Sequence, residues 1–164
     1  MNLVPIKNYE ELYSFDLNSN QVYSHYKKKY LKLHIGKEGY YKLGLYKNSK
    51  VKDFKLHRLV YEAYKGEIPT GYCIDHIDRN RQNNHINNLR LATYSENTCN
   101  MKTPKSNKST GYKNINLTKF NNYNVKINKN YKRVYDKTFK NLEEAITNRD
   151  IQLKLIHGEF YNLG

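Results

Sequence analysis

Apolar and polar side chains alternate along much of the first 56 residues, which is the pattern of short β-strands. The alternation is clearest in NQVYS, KYLKLHI, YYKLGLY and KVKDFKL, and Gly, Asn and Lys separate these segments. The period then changes to that of a helix within HRLVYEAYKG, where Gly66 can end the helix. The pattern therefore predicts a β-rich module over residues 1–56, followed by one helix.

The next segment is predicted to run strand, polar loop, strand and helix. YCID forms a short strand that ends at His76, residues 79–88 are polar, and LRLAT is the second strand. Thr93 and Glu96 have the spacing of a capping box, in which each side chain binds the backbone amide of the other residue. A helix is therefore expected to begin after Thr93 and to carry Asn97.

The last third of the chain again runs from strands to a helix. YKNINL, YNVKIN and KRVYDKTF are strand candidates, and an apolar stripe predicts a helix between the N-cap candidate Asn141 and Gly158. The composition of KTPKSNKST indicates a linker before this module. We therefore predict an α+β protein of small modules. They are a β-rich N-terminal module (1–56), a central unit of two strands and a helix (57–102), a basic linker (103–110), and a three-stranded antiparallel sheet plus one helix (111–164).

The composition indicates a soluble protein that binds a polyanion. The formal net charge is +14 at pH 7, and basic side chains outnumber acidic ones in each third of the chain. An evenly spread positive charge suits a partner that lies along the protein, with nucleic acid the first candidate; a solvated basic surface is the alternative. The two cysteines form no CxxC pair, and no signal peptide or membrane-spanning segment is visible. We therefore expect a cytoplasmic protein without a disulfide framework.

The stretch DHIDRNRQNNHINNLRLATYSEN carries the candidate chemistry. Asp75 and His76 are adjacent on a predicted strand, so their side chains should point to opposite faces. If the helix folds back, Asn97 comes beside Asp75, and a carboxylate plus an amide oxygen suit Mg²⁺ or Mn²⁺. A neutral His76 can take a proton from water, and together with the metal this arrangement can hydrolyse a phosphodiester.

Other interpretations of these residues stay open at this point. An Asp–His pair is often only a hydrogen-bonded pair on the surface. Asn84, Asn87 and Asn88 could simply be turn residues, and Asn97 could be a helix residue that faces solvent. Asp78 could replace Asp75 as the metal ligand, although a role in stabilising the loop is favoured for it. For His57 we favour packing or hydrogen bonding over catalysis.

The same stretch resembles the HNH motif of phage and intron-encoded homing endonucleases, and LHRLVYEAY resembles the helix that precedes that motif. The resemblance implies a ββα-metal (His-Me finger) unit that cuts double-stranded DNA with one divalent ion. It implies Asp75 and Asn97 as the metal ligands and His76 as the general base. It also implies Asn88 as the residue that braces the loop and so orients His76.

Both flanking segments resemble modules found in homing endonucleases. Residues 1–56 follow the pattern of the small β-rich module that often precedes the HNH motif; a scaffold without DNA contact is the alternative. Residues 109–163 resemble the DNA-binding domain of plant ethylene-response (Apetala-type) factors, in the opening GY-x-x-I, the helix entry F-x-x-x-E-E-A and the Gly and Asn near the end.

The second resemblance implies a three-stranded sheet that enters the major groove of DNA. Most of the basic candidates on it would contact phosphates, whereas Arg133 is the candidate for reading guanine. A solvated, charged sheet face is the alternative. The candidate DNA contacts are Lys113, Lys119, Tyr123, Lys126, Lys132 and Arg133.

Together these observations predict a site-specific, divalent-metal-dependent DNA endonuclease of phage or intron origin. One active site per chain favours a monomer, or a weak dimer, that nicks one strand; cutting both strands would require a dimer or a second binding event. A DNA-binding regulator with an inactive nuclease motif is the main alternative, but the set Asp75, His76, Asn88 and Asn97 is complete. An RNA-binding protein is a further alternative.

Overall fold

The computed structural model of the protein describes residues 1–101 and 109–163. It has the mixed α+β architecture that the sequence predicts, with small sheets and three α-helices in the described part of the chain. The chain divides into two compact units, Met1–Leu91 and Ala92–Gly164. Most of the predicted linker, 103–110, lies outside the described residues, and the predicted domain boundaries stay predictions. None of the described helices is both long enough and apolar enough to cross a membrane.

Small antiparallel sheets and one α-helix make up the first unit. The first sheet has four strands in the order β1-β2-β3-β4: Leu3–Pro5, Tyr13–Asp16, Gln21–Ser24 and Lys29–Tyr30. The second has three strands in the order β5-β6-β7: His34–Ile35, Tyr41–Lys47 and Lys50–Lys55. Helix α1 (Leu56–Lys65) follows β7, and strands β8 (Tyr72–His76) and β9 (Leu89–Thr93) pair with each other. The loop between β8 and β9 ends in a short 3₁₀ helix, Ile86–Asn88.

One hydrophobic core joins the two larger sheets of the first unit to α1. Leu59 and Val60 lie on one face of α1 and are at most 3% exposed, and they share the core with Phe15 on β2 and Leu43 on β6. Burying such a side chain contributes roughly 1.5–3 kcal/mol. The core also includes Ile74 on β8, so it supports the strand that carries the Asp–His pair.

The segment KYLKLHI is predicted as one strand, and the structure corrects this. Its two ends belong to different sheets, with Lys29–Tyr30 in β4 and His34–Ile35 in β5. Between them, Leu31 and Leu33 pack against the core of the first unit. The alternation continues across the break between β4 and β5 because both sheets pack on one core, so periodicity alone cannot reveal the break.

The second unit contains the end of β9, two α-helices and a three-stranded sheet. Helix α2 (Tyr94–Asn100) begins with the predicted capping box of Thr93 and Glu96. Strands β10 (Ile115–Leu117), β11 (Tyr123–Lys129) and β12 (Lys132–Phe139) are antiparallel, and helix α3 (Leu142–His157) packs on them. The core between sheet and helix consists of Ile115, Val125, Ile127, Phe139, Ala145 and Leu153.

Candidate active site

Asp75 and His76 are the last two residues of β8, and each residue is 4% exposed. They have different partners within the first unit, as neighbours on a strand should. The carboxylate oxygen Oδ2 of Asp75 accepts a hydrogen bond from Nε of Arg90 on β9 at 2.9 Å and forms an ion pair with Nη2 of Arg90 at 2.8 Å. The ring of His76 instead faces the loop after β8 and two other aromatic rings.

The orientation of His76 is set by Asn84. His76 Nε2 lies 3.1 Å from Asn84 Oδ1, and Asn84 Nδ2 donates to the carbonyl oxygen of Gln82 at 3.2 Å. A backbone carbonyl can only accept, so the amide nitrogen of Asn84 must face Gln82 and its oxygen must face His76. The neutral imidazole therefore carries its proton on Nε2, and Nδ1 has the lone pair that a general base needs.

Tyr40 and His57 form a wall beside the ring of His76. The His57 and His76 ring centroids are 5.0 Å apart in an edge-on arrangement, and the Tyr40 ring lies 4.8 Å from His57 and 5.8 Å from His76. Burial lowers the pKa of His57 to about 3, so this ring is neutral at physiological pH. Its Nδ1 is buried and has no hydrogen-bond partner among the described residues. The structure therefore gives His57 the packing role that the sequence favoured.

Two opposing effects act on the protonation of His76. Burial is the larger, and it lowers the pKa of His76 because the charged imidazolium loses contact with water. The hydrogen bond with Asn84 and the charges of Asp75 and Asp78 raise the pKa by less. The net shift is downward, which keeps the ring neutral and able to accept a proton near neutral pH.

Asn88 holds the loop between β8 and β9 together. Its Nδ2 donates to Oδ1 of Asp78 at 2.9 Å and to the carbonyl oxygen of Asn83 at 2.8 Å, and its Oδ1 accepts from the Asp78 amide at 3.0 Å. These bonds connect the start, the middle and the end of the loop that contains Asn84. The geometry agrees with the bracing role that the sequence predicts for Asn88; its effect on catalysis stays a prediction.

The carboxylate of Asp78 is engaged within the same loop. One oxygen accepts from the Asn80 amide at 2.7 Å and from Asn88, and the other accepts from Asn83 Nδ2 at 2.7 Å. Desolvation raises the pKa of Asp78, but these hydrogen bonds outweigh it and lower the pKa overall. This arrangement favours a loop-stabilising role for Asp78 over metal ligation.

The predicted metal ligands are Asp75 and Asn97. Asp75 offers a buried carboxylate, a hard oxygen donor that fits Mg²⁺ or Mn²⁺. Asn97 lies on α2 in the second unit, and its approach to Asp75 stays a prediction. Within residues 1–101 and 109–163, no group of three or more His, Cys, Asp or Glu side chains could hold a metal ion. A site of one carboxylate and one amide does not require such a group, because water and substrate phosphate complete the shell of Mg²⁺.

The six predicted DNA contacts in the second unit differ in their surroundings. Lys113 Nζ donates to the carbonyl oxygens of Cys99 and Met101, at 2.6 and 2.8 Å, and so binds the end of α2. Tyr123 packs against the core of this unit. Arg133 binds Asp136 at 3.1 Å, and Lys126 lies opposite Asp136 in the sheet. The exposed cations among the six are Lys119, Lys132 and Arg133.

A family model described as "HNH endonuclease" matches residues 54–99, which include the whole Asp75–Asn97 stretch. Residues 54–99 form an HNH endonuclease domain. The matched segment begins at the end of β7 and runs through α1, β8, β9 and most of α2.

Comparisons with known proteins place the HNH domain among viral relatives. The chain is 42% identical over 88 residues to the DNA endonuclease I-HmuI of Bacillus phage SP01, covering 54% of this chain and 50% of that protein. It is 56% identical over 63 residues to Protein 3.8 of Escherichia phage T7, covering 38% and 51%. It is 35% identical over 133 residues to the HNH endonuclease L560 of Acanthamoeba polyphaga mimivirus, covering 79% and 64%. The chain therefore spans between 50% and 64% of the length of these relatives.

A solved structure extends the likeness beyond the HNH domain. Its title is "DNA binding and cleavage by the HNH homing endonuclease I-HmuI". The match covers 97% of this chain and 91% of that chain, with 28% sequence identity and a TM-score of 0.57. The HNH domain is homologous to that of the phage homing endonuclease.

Three residues around the site were given no functional role from the sequence. Arg90 is a lone cation in the apolar strand LRLAT, and this is a usable signal, because an Arg that is largely covered by protein needs an acidic partner. Asn84 is one of four asparagines in RQNNHINN, and nothing in the sequence distinguishes it. Tyr40 lies 36 residues before His76, so only the folded chain reveals their contact.

Proposed function

We propose that this protein is a site-specific, divalent-metal-dependent DNA endonuclease that nicks one strand of duplex DNA in the cytoplasm of a host cell. The observation that carries the proposal is the buried His76, which Asn84 holds at Nε2 so that Nδ1 keeps its lone pair. The homology of the HNH domain to that of I-HmuI supports a nuclease, because that protein is named a DNA endonuclease.

In this proposal, His76 is the general base. Its Nδ1 takes a proton from a water molecule, whose oxygen attacks phosphorus and displaces the 3′ oxygen of the neighbouring nucleotide. The products are a 5′-phosphate and a 3′-hydroxyl. A Mg²⁺ or Mn²⁺ ion held by Asp75 and Asn97 would stabilise the charge that develops on the phosphate and on the leaving oxygen. Asn84 keeps the ring in the productive tautomer, and Asn88 keeps Asn84 in place through the loop.

The proposed division of labour assigns DNA recognition to the second unit. We take residues 109–163 as an Apetala-type DNA-binding domain, and the three-stranded sheet packed on one helix supports this assignment. Lys119 and Lys132 are exposed and suited to phosphate contacts, whereas Arg133 is the proposed base reader. One site per chain suits a monomer or weak dimer that nicks.

A DNA-binding regulator without nuclease activity is the second candidate. The ion pair of Asp75 with Arg90 favours it, because the guanidinium already binds one of the two carboxylate oxygens that a metal would use. Against it, Nε2 of His76 lies 3.1 Å from Asn84 Oδ1, an arrangement that supports a role for the ring in proton transfer.

The test is a plasmid cleavage assay on DNA that carries the gene's own flanking sequence. Wild type and Asp75→Ala are compared with Mg²⁺ or Mn²⁺ and with EDTA. Metal-dependent conversion of supercoiled to open-circular plasmid, lost in Asp75→Ala, is the expected result; a linear product would mean that both strands are cut. Retained binding in a gel shift without any conversion would favour the regulator instead.

A further inference from the structure

The guanidinium of Arg81 is fixed over the turn that precedes β6. Its central carbon lies 4.9 Å from the ring centroid of Tyr40, and Nη1 donates to the carbonyl oxygen of Glu38 at 2.6 Å. The arginine side chain has five N–H donors. The structure shows no protein acceptor for the other four among the described residues, and the side chain is exposed.

Lys55 brings a second cation to the same ring. Its Nζ lies 4.6 Å from the Tyr40 centroid and 2.9 Å from the carboxylate of Glu38. Lys42 Nζ is 3.6 Å from that carboxylate as well. Glu38 thus has two lysines at its carboxylate and Arg81 at its carbonyl oxygen. We use the name Tyr40 cation pair for Arg81 and Lys55 together with the Tyr40 ring that both cations contact.

The Tyr40 cation pair lies beside the proposed base. The ring that carries both cations packs 4.8 Å from His57 and 5.8 Å from His76, measured between ring centroids. Arg81 and His76 therefore both contact the ring of Tyr40. The guanidinium is held at two points, so it loses little side-chain freedom on binding, and its flat set of donors matches the oxygens of a phosphate.

We propose that the Tyr40 cation pair binds a backbone phosphate of the DNA strand to be nicked, at or next to the scissile bond. This inference rests on the proposed function and names residues of the first unit as a DNA contact. The alternative is a structural staple, in which Arg81 only ties the loop after β8 to the turn before β6. A staple would not change the salt dependence of DNA binding, whereas a phosphate contact would.

The test measures DNA affinity against salt concentration in a His76→Ala protein, which leaves the duplex intact. The duplex is one that the wild type nicks. Each phosphate contact contributes about 0.9 to the slope of log K against log salt. Arg81→Gln is expected to reduce the slope by about 0.9 and to weaken binding, and Lys55→Gln is expected to act in the same direction. Arg81→Lys should retain the slope because it keeps the charge.

Arg58→Gln is the matched control. Arg58 is an exposed arginine on α1 that lines a separate cleft with Leu59 and Glu62, and its replacement should leave the slope unchanged. Circular dichroism melts of all variants report whether they fold. An Arg81→Gln protein that is folded and has the parental slope would overturn the inference while the nicking activity of the wild type stands. A wild type that neither binds nor nicks the duplex would overturn the proposed function and the inference together.

A second readout locates the phosphate. Single phosphates around the mapped nick are replaced by neutral methylphosphonates. At one position the replacement should weaken binding by the parental protein and should have no further effect on Arg81→Gln, because the same contact is already lost. Independent, additive losses at every position would contradict the proposal.

Discussion

Nε2 of His76 lies 3.1 Å from Oδ1 of Asn84, and this contact decides which ring nitrogen carries the proton. The amide of Asn84 cannot turn over without losing its bond to the Gln82 carbonyl. The hydrogen bond from Asn84 to the Gln82 carbonyl therefore fixes the amide of Asn84, and the hydrogen bond between Asn84 and His76 then fixes the tautomer of the imidazole.

Asn84→Ala is expected to slow nicking without weakening DNA binding. Without the acceptor, the proton can move to Nδ1 and the ring can rotate, so a smaller fraction of molecules has the base ready. A loss of about 10- to 100-fold in kcat is expected, as for other partners that orient a histidine. His76→Ala should lose more, about 10²–10⁴-fold, because the base itself is removed. Single-turnover nicking and a gel shift on the same duplex measure both effects.

Asn84→Asp separates orientation from loop folding in the same experiment. It keeps an oxygen at His76, so it should retain more activity than Asn84→Ala. Equal activity of Asn84→Ala and wild type would show that the hydrogen bond to Nε2 has no part in the reaction.

Asn88→Ala is expected to destabilise the loop between β8 and β9. It removes three hydrogen bonds and leaves the Asp78 amide and the Asn83 carbonyl without their partner. The expected loss is about 1–3 kcal/mol in the free energy of unfolding. Urea unfolding and amide hydrogen exchange of the loop measure it. Asn87→Ala is the control, because Asn87 is exposed and binds the loop through its backbone amide; equal losses in both variants would contradict the bracing role of Asn88.

Asp16 is expected to make the fold sensitive to acid. The hydrogen bond from the Tyr30 hydroxyl, followed by those from the amides of Asn18 and Asn2 and the Ser19 hydroxyl, lowers the pKa of Asp16 to about 2. An aspartate in an unfolded chain titrates near 3.9. The ionised carboxylate therefore stabilises the fold fully above about pH 4, and this stabilisation is lost as the pH falls from about 4 to 2.

Asp16→Asn should flatten that part of the pH profile. Unfolding midpoints measured between pH 2 and 7 should fall less steeply for the variant below pH 4 than for the wild type. Asp53→Asn, at an exposed position on β7, is the control and should follow the wild type. Parallel profiles for wild type and Asp16→Asn would exclude Asp16 as the source.

Arg133→Ala tests the proposed recognition role of the second unit. A bidentate contact with guanine contributes about 1–3 kcal/mol of discrimination, so the variant should bind its site less tightly and tolerate a change at one base pair. Competition binding with single-base variants of the site measures this. Replacing the exposed Lys154 on α3 should not relax the sequence preference; a uniform loss across all duplexes in Arg133→Ala would indicate a phosphate contact instead.

Local features of the fold could be predicted because their causes lie close together in the sequence. The capping box of Thr93 and Glu96 and the end of α1 at Gly66 both depend on residues within one or two helical turns. The division of KYLKLHI between two sheets could not be predicted, since the alternation that fits a single strand also fits two strands that share a core.

The candidate site likewise has local features that could be predicted from the sequence and long-range contacts that could not. The opposite partners of Asp75 and His76 follow from the alternation of a strand, and the bracing bonds of Asn88 lie within one loop. The wall of Tyr40 and His57 depends on contacts between segments that are far apart in the chain. Such contacts form only when the core brings β6, α1 and β8 together, and the pattern of apolar and polar residues along the chain does not indicate them.

The contact between Tyr40 and Arg81 has a consequence for how these two positions evolve. The guanidinium packs on the aromatic face of residue 40, and that ring has an arginine beside Lys55 only if the loop after β8 supplies one. A mutation at either position alone removes the contact but leaves the other side chain exposed or unsupported. We therefore expect positions 40 and 81 to covary among relatives that keep this turn and loop, with aromatic and arginine gained or lost as a pair.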